Sequence, residues 1–384
     1  MSNSNSKSIP NDAFFSDLFS KFNIAATYFS AEPYGSGHIN DTYLVKTKPT
    51  LGQNHQNYQN HFDYIFQRIN HKIFKNIPGL MDNIVRVTDH LRKKISLLPG
   101  HDANKETLTV ILTKQGESFY IDSDGGHWRV YIFLADTHSY DQVKDPKVAY
   151  QGGIAFGRFQ KLLADIDLTR PLYETIKDFH NIDARWVLFQ TALKADVKNR
   201  ATEVQKEIIY LEQYYPLMRE ILLAGQAGKI PLRVTHNDTK FNNVLLNSKD
   251  QAQCVIDLDT VMPGYVHYDF GDCLRTAANS APEDEVDLSK VFFNLELFKG
   301  FTEGFLSEVG QTLSPVEIEL LPLATVLLPY TIGLRFLTDY LNGDQYFKIH
   351  RPLHNLDRAR CQFALAQSAL SQLDHMKKFI QETL

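Results

Sequence analysis

His236-Asn237-Asp238-Thr239-Lys240-Phe241-Asn242-Asn243 runs directly into two β-rich stretches, VLLN (244–247) and CVIDL (254–258), separated by the polar residues SKDQAQ (248–253). Two short apolar runs around a polar turn predict a hairpin. An acidic pair, Asp257 and Asp259, stands at the end of its second strand. An isolated His-x-Asp would mean no more than a loop. Here a His, an Asp, a Lys and an Asn, then a hairpin, then two carboxylates occur together and in order, and a motif gains weight from such context.

Phosphoryl transfer from ATP asks for few covalent roles and strict positioning. One carboxylate must orient the attacking hydroxyl and accept its proton. A second carboxylate and an amide oxygen must hold magnesium, which takes hard oxygen ligands and keeps several waters, so that two side chains plus the nucleotide suffice. The spacing His-x-Asp-x-Lys-x-x-Asn matches the kinase catalytic loop. It assigns Asp238 as base, Lys240 as a charge beside the transferred phosphoryl, and Asn243 and Asp257 as the magnesium ligands. His236 is read as a brace for the loop. A literal Asp269-Phe270-Gly271 also occurs, beyond a further turn at MPGYVHY (262–268). The metal carboxylate of this pattern ends the hairpin immediately after the loop, a place that Asp257 holds. Asp269 is therefore read either as a helix-entry carboxylate or as one that supports the site from behind, and Phe270 as core.

Outward from this centre, TYFSAEPYGSGHINDTYLVKT (27–47) reads as two strands around a glycine-containing turn. Glycines let backbone N–H groups approach phosphate oxygens without a Cβ in the way. Ahead of a catalytic-loop motif, this marks Gly35, Ser36, Gly37, Asn40 and Thr42 for the nucleotide. His38 either faces the substrate or caps the turn. FDYIFQRI (62–69) is a further strand with period-two alternation, and a helix enters at Pro78 with Leu80, Ile84, Val87 and Leu91 at helical spacing. TLTVILTK, ESFYID and WRVYIFL follow as strands, with SDGG as a turn between the last two. Helical periodicity then takes over, at about 147–165, 199–225 and most of 286–384. The predicted fold is α+β: two lobes like those of a protein kinase, with an antiparallel β N-lobe and a mainly helical C-lobe carrying an inserted catalytic hairpin. The boundaries are a tail and short helix at 1–22, with Phe14, Phe15, Leu18 and Phe19 on one side, then an N-lobe at 23–134 and a C-lobe at 135–384.

Composition narrows the classes. Of 384 residues, 43% are hydrophobic and 22% charged, and the net charge is −5. That is an ordinary globular mix with no field to attract nucleic acid or anionic lipid. The three cysteines are sparse and unpaired in spacing, which reads as a reducing compartment. The N-terminal residues lack a signal-peptide layout. The longest apolar stretch, around Leu320 to Leu328, is expected to be short and broken by prolines. A cytoplasmic protein without a membrane or nucleic-acid partner is the expectation.

HNDTKFNN with CVIDLDT resembles the signature of the aminoglycoside phosphotransferase-like superfamily, which includes choline and homoserine kinases. GSGHINDTY, FQRINHKIFKN, WRVYIFL, VIDLDTVMPG with DFGD, and RFLTDYLNGDQYF with HNLDRAR are similar to bacterial N-acetylhexosamine 1-kinases, over about 25–365. The resemblance implies ATP- and magnesium-dependent phosphorylation of the anomeric hydroxyl of N-acetylglucosamine or N-acetylgalactosamine. An anomeric hydroxyl is more acidic than an ordinary alcohol, so a carboxylate base is chemically adequate. The resemblance also implies that Arg335 and Tyr346 bind the sugar, with Asp339 beside them as either sugar ligand or ion-pair partner of Arg335. Asp259 supports magnesium or touches the sugar. His180 and Arg185 either reach the pocket or fix a loop, and the structural role is favoured.

The strand that carries a phosphate-gripping lysine in protein kinases reads Phe66-Gln67-Arg68-Ile69 here. Arg68 or Gln67 is the candidate substitute, Asp82 stands near the place of the partner glutamate, and the adenine is expected near Tyr131–Ala135, at Phe133. Two other readings follow. One keeps the fold with an aminoglycoside, choline or other alcohol as acceptor; the other is a kinase-like binding protein without catalysis. A neutral polyol suits the mixed set Arg335, Asp339, Tyr346, His354, Asn355 and Arg358 better than a polycation, which calls for a strongly acidic or aromatic-caged pocket.

Overall fold

A computed structural model describes residues 10–35, 39–49 and 62–384, and the chain divides after Ala135 into two units. Unit one is built on an antiparallel six-stranded sheet. Its strands are β1 (Thr27–Pro33), β2 (Asp41–Lys48), β3 (Tyr64–Ile69), β4 (Val110–Ile111), β5 (Tyr120–Ile121) and β6 (His127–Ile132), in the order β1-β2-β3-β6-β4 with β5 also on β6. Helix α1 (Asp12–Phe19) lays Phe15, Leu18 and Phe19 against Phe66, Trp128 and Val130, so this helix shares the sheet's core. Helix α2 (Ile77–Ile95) is capped by the Asn76 side chain and buries Leu80, Ile84, Val87 and Leu91, the predicted stripe. A four-residue helix, α3 (Ala103–Glu106), follows. At the SDGG turn, the Asp122 carboxylate accepts the N–H groups of Asp124 and Gly126 and the indole N–H of Trp128, while Gly125 takes φ 77°.

Unit two opens with β7 (Thr137–His138) and helices α4 (Pro146–Leu163), α5 (Ile182–Ala195), α6 (Gln205–Met218) and α7 (Glu220–Gln226). Then come β8 (Arg233–Thr235), the hairpin β9 (Val244–Asn247) and β10 (Ala252–Val255), β11 (Met262–Gly264) and α8 (Val266–Ala277). Four helices finish the chain: α9 (Leu295–Val309), α10 (Pro315–Leu341), α11 (His354–Leu370) and α12 (Leu373–Thr383). The predicted hairpin is present, extended by β7 on β9, and β11 pairs antiparallel with β8. The antiparallel β unit followed by a helix-rich one is the protein-kinase-like arrangement.

Helix α5 escaped the sequence reading, and of α8 only the entry at Asp269 was read. α5 leaves Val187 and Leu188 exposed, so its apolar residues mark no single face. α8 is buried on nearly every side from Val266 to Ala277, so it too shows no stripe. The prolines expected to break the Leu320–Leu328 stretch do not. Pro322 and Pro329 lie inside one 27-residue helix, α10, started by Pro315 and by a capping box between Ser314 and Glu317. Packing outweighs the lost backbone hydrogen bonds. By length and composition α10 is apolar enough to cross a membrane, but 83% of its apolar window is buried inside the unit, as in a core helix.

Candidate active site

Strand β8 leads into the catalytic loop, and its pairing with β11 sets Thr235 opposite Met262. The next residues turn sharply. Asn237 takes φ 65°, a left-handed conformation that costs a non-glycine residue energy unless its surroundings hold it. They do. Its side-chain amide donates to the carbonyls of Thr235 (3.2 Å) and Thr260 (3.0 Å), and its own carbonyl accepts from Nε2 of His180 (2.7 Å). Asp269, in the first turn of α8 and fully buried, accepts the backbone N–H groups of His236 (2.9 Å) and Asn237 (2.7 Å) and the amide of Gln160. Thr239 Oγ1 donates to the Asp269 carbonyl at 2.6 Å. Asp269 is thus a brace for the loop, and Phe270 beside it is core.

A circuit of hydrogen bonds joins the loop to the hairpin. Asn243 Nδ2 donates to the Asp238 carbonyl (2.8 Å), Ile256 N–H to the Asn243 carbonyl (2.9 Å), and His236 Nε2 to the Ile256 carbonyl (2.9 Å). With its N–H group so used, the Asn243 side chain has Oδ1 without a hydrogen bond among the described residues. Asp257 follows Ile256 at the hairpin exit in a left-handed conformation, φ 61°, and opens the single 3₁₀ turn 258–260 that contains buried Asp259. Asp238, Asn243 and Asp257 therefore stand on one short hydrogen-bonded frame. An amide oxygen and a carboxylate are the hard donors magnesium takes, and two protein ligands are its habit when phosphates and water complete the shell. The residues present fit that ion. Among the described residues no group of three or more His, Cys, Asp or Glu side chains is gathered for a metal.

Lys240 Nζ lies 3.3 Å from the Asp238 carboxylate. Burial pushes the Asp238 carboxyl up, but Lys240, then His236 and Arg275, outweigh it and hold the group below the usual carboxylate range. Asp238 is therefore ionised at neutral pH, as a proton acceptor must be. Asp238 in turn raises the Lys240 ammonium above its ordinary value. Arg275 is itself buried and held by Asp272 and Glu283, each at 2.8 Å.

The nucleotide candidates lie in unit one. Gly35 takes φ 75° just after β1, while Ser36, Gly37 and His38 fall outside the described residues. Asn40 Oδ1 accepts the N–H of Asn70, and Thr42 Oγ1 accepts from Gln67 Nε2, both at 3.0 Å. Arg68 is engaged by Asp41 at 2.9 Å. Gln67 Oε1 takes the Nε–H of Arg129 at 3.0 Å, and this arginine, 1% exposed on β6, is a cation the sequence reading passed over. Phe133 meets Tyr34 edge to face at 5.6 Å. Asp82 lies 3.7 Å from Arg86, one helical turn on.

The acceptor candidates divide. Arg335 faces the rings of Phe179, Phe347 and Tyr346, at 5.0, 5.5 and 5.9 Å. Its predicted helical partner Asp339 is occupied elsewhere. That carboxylate accepts the N–H groups of Gln345, Tyr346 and Phe347 and the amide of Asn355, and so shapes the loop carrying Tyr346. Arg185 binds the Phe179 carbonyl through two nitrogens. Burial, followed by the nearby Arg335 charge, lowers Arg185 to about 10.

The model of the phosphotransferase enzyme family (APH) matches residues 30–291. The chain belongs to this family. It is a small-molecule kinase: a phosphotransferase with an alcohol-type acceptor, in a family that typically uses ATP with magnesium. Solved structures share the fold of this phosphotransferase at low identity. An aminoglycoside phosphotransferase from Alicyclobacillus acidocaldarius is 13% identical, covers 99% of each chain and has a TM-score of 0.64. A microcompartment-associated aminopropanol kinase, 13% identical, covers 96% of this chain and 99% of its own at 0.57. An ethanolamine kinase of Plasmodium vivax is 15% identical over 87% of this chain and 82% of its own, at 0.53.

Proposed function

We propose that this phosphotransferase moves the γ-phosphoryl group of ATP to a hydroxyl of a neutral sugar, namely the anomeric hydroxyl of N-acetylglucosamine or N-acetylgalactosamine. The observation that carries the transfer is the frame joining ionised Asp238 to Asn243 and Asp257. Asp238 orients the acceptor hydroxyl and takes its proton as the oxygen attacks. Lys240 keeps Asp238 ionised and adds positive charge beside the phosphoryl. Magnesium, held by Asn243 and Asp257, supplies neutralisation of phosphate charge when bound. In unit one, Gly35, Ser36, Gly37, Asn40, Thr42, Gln67, Arg68 and Phe133 remain the nucleotide residues, with the Gln67–Arg129 pair added to them.

What supports an uncharged acceptor is electrostatics. Arg335 stands near enough to Arg185 for its charge to lower that group, and both bear on His180. Two guanidinium groups repel an ammonium substrate and tolerate a polyol. Arg335 and Tyr346 are the proposed sugar contacts. The second reading is an amino alcohol or aminoglycoside, the acceptor class in the names of the similar structures.

Phosphorus NMR of ATP, magnesium and protein with N-acetylglucosamine, its methyl glycoside, ethanolamine or choline separates the two. The free sugar should give a sugar 1-phosphate and the methyl glycoside should be inert. Phosphorylation of ethanolamine or choline alone would replace the sugar reading, and chelation of magnesium should stop every reaction.

A further inference from the structure

Two buried polar atoms beside the catalytic loop have no hydrogen-bond partner among the described residues: Nδ1 of His180 and Oδ2 of Asp272. The residues are 5% and 2% exposed. A buried polar atom left unpaired is destabilising, so two in one neighbourhood ask for an explanation.

They do share a neighbourhood. The His180 ring lies 5.0 Å from that of Tyr268, and Tyr268 and Asp272 are one turn apart on the same side of α8. The Asp272 charge is the strongest acting on His180, and it also reaches Lys240, the partner of the base. His180 is bonded to Asn237, the residue before Asp238. The pair therefore adjoins the place where an acceptor hydroxyl must lie.

Chemistry fixes what the two atoms need. Nε2 of His180 donates to a carbonyl, so Nδ1 of the neutral ring is an acceptor. Burial first of all lowers His180 to about 4, which keeps the ring neutral at pH 7. Oδ1 of Asp272 is taken by Arg275, and Oδ2 is an acceptor as well. Two acceptors cannot satisfy each other. A molecule bringing two donors can; the Asp272 charge is already paired with Arg275, and the further charges of Arg335 and Arg185 on His180 weigh against a cationic one.

We propose that Asp272 Oδ2 and His180 Nδ1 form an acceptor-binding subsite that takes hydrogen bonds from two hydroxyl groups of a neutral polyol, next to the hydroxyl presented to Asp238. The assignment rests on the alcohol-kinase reading. It names the substrate class through Asp272, which neither the motif nor the resemblance singled out, and through His180, for which the structural role was favoured.

Asp272→Asn and His180→Gln, each checked for a native melt, are compared with the unaltered protein using N-acetylglucosamine and its 3-, 4- and 6-deoxy analogues. Steady-state kinetics gives KM for sugar and for ATP, and calorimetry with ADP and magnesium present gives sugar binding without chemistry. Each variant should raise the sugar KM and Kd about tenfold, the loss of one good hydrogen bond, with KM for ATP unchanged. One deoxy analogue should bind the unaltered protein about tenfold worse and Asp272→Asn no worse still, and another should behave so toward His180→Gln. Unchanged sugar affinity in both variants, or deoxy losses that add to the mutational ones, would mean that water fills the pair and would overturn the subsite. Ethanolamine affinity abolished by Asp272→Asn would overturn the neutral class. Sugar that binds with this pattern and is never phosphorylated would instead sink the sugar-transfer reading and leave the subsite standing; sugar that neither binds nor reacts would overturn the subsite.

Discussion

Asp238 is useful only as an anion, and Lys240 above all, with Arg275 behind it, keeps it so against its burial. Replacing it with Asn preserves shape and removes proton acceptance. Asp238→Asn should lower kcat by about 10²–10⁴-fold, the range for a general base, with nucleotide affinity retained by calorimetry. Asp269 is a different case, since it works through the backbone. Asp269→Ala leaves the N–H groups of His236 and Asn237 buried without their acceptor, at about 1–3 kcal/mol each. The melt should fall by several degrees and kcat should fall with it, while KM for ATP changes little. The roles proposed for Asp238, Asn243 and Asp257 were legible in the sequence, because loop, hairpin and carboxylate follow one another along the chain. The Asp272–His180 pair was not. Its members are far apart in sequence, and what marks them is a missing partner in a shared neighbourhood, visible only once the hydrogen bonds around them are known. Arg129 escaped likewise: on a strand it reads as one charge among many until its neighbour Gln67 is known.

At the scale of elements, α4 and α9 approach so closely that side chains are excluded between them. A Cβ on Gly153 would lie 2.1 Å from the Phe301 carbonyl oxygen, and one on Gly304 would lie 2.1 Å from that of Tyr150. Both obstacles are backbone, so neither can swing aside. Gly304→Ala should cost about 1–3 kcal/mol, enough to lower the calorimetric melting temperature by several degrees, although alanine is the better helix former. An unchanged melt would mean that the two helices can separate cheaply. Helices with a stripe, such as α2, were legible from periodicity. α8 was legible only at its entry, because it is buried on nearly every side and mixes His267, Asp269, Asp272 and Arg275 with its apolar residues, and α10 was misjudged because propensity penalises proline while tertiary burial decides. The hairpin β9–β10 was read from its turn. Its third strand β7 was not, since two residues carry no period.

Across the whole molecule, two deeply buried histidines tie stability to pH. Burial, the largest influence on each, lowers His180 and His267 from 6.5 to about 4. Between those values the unfolded chain holds protons that the folded one refuses, so stability contributed above pH 6.5 is lost as pH falls toward 4. The melting temperature should drop steadily over that window. His267→Gln, which keeps a donor for the Glu317 carbonyl, should flatten the slope. A pH-independent melt from 7 to 5 would refute the assignment. One further consequence follows from the path between hairpin and α8. In protein kinases the stretch after the metal carboxylate holds a phosphorylation site that turns catalysis on and off. Here residues 258–265 are a single 3₁₀ turn and a strand zipped to β8, the strand that delivers the catalytic loop itself. No slack is left to be repositioned by a modification. A switch of the protein-kinase kind therefore has no loose segment here to act on.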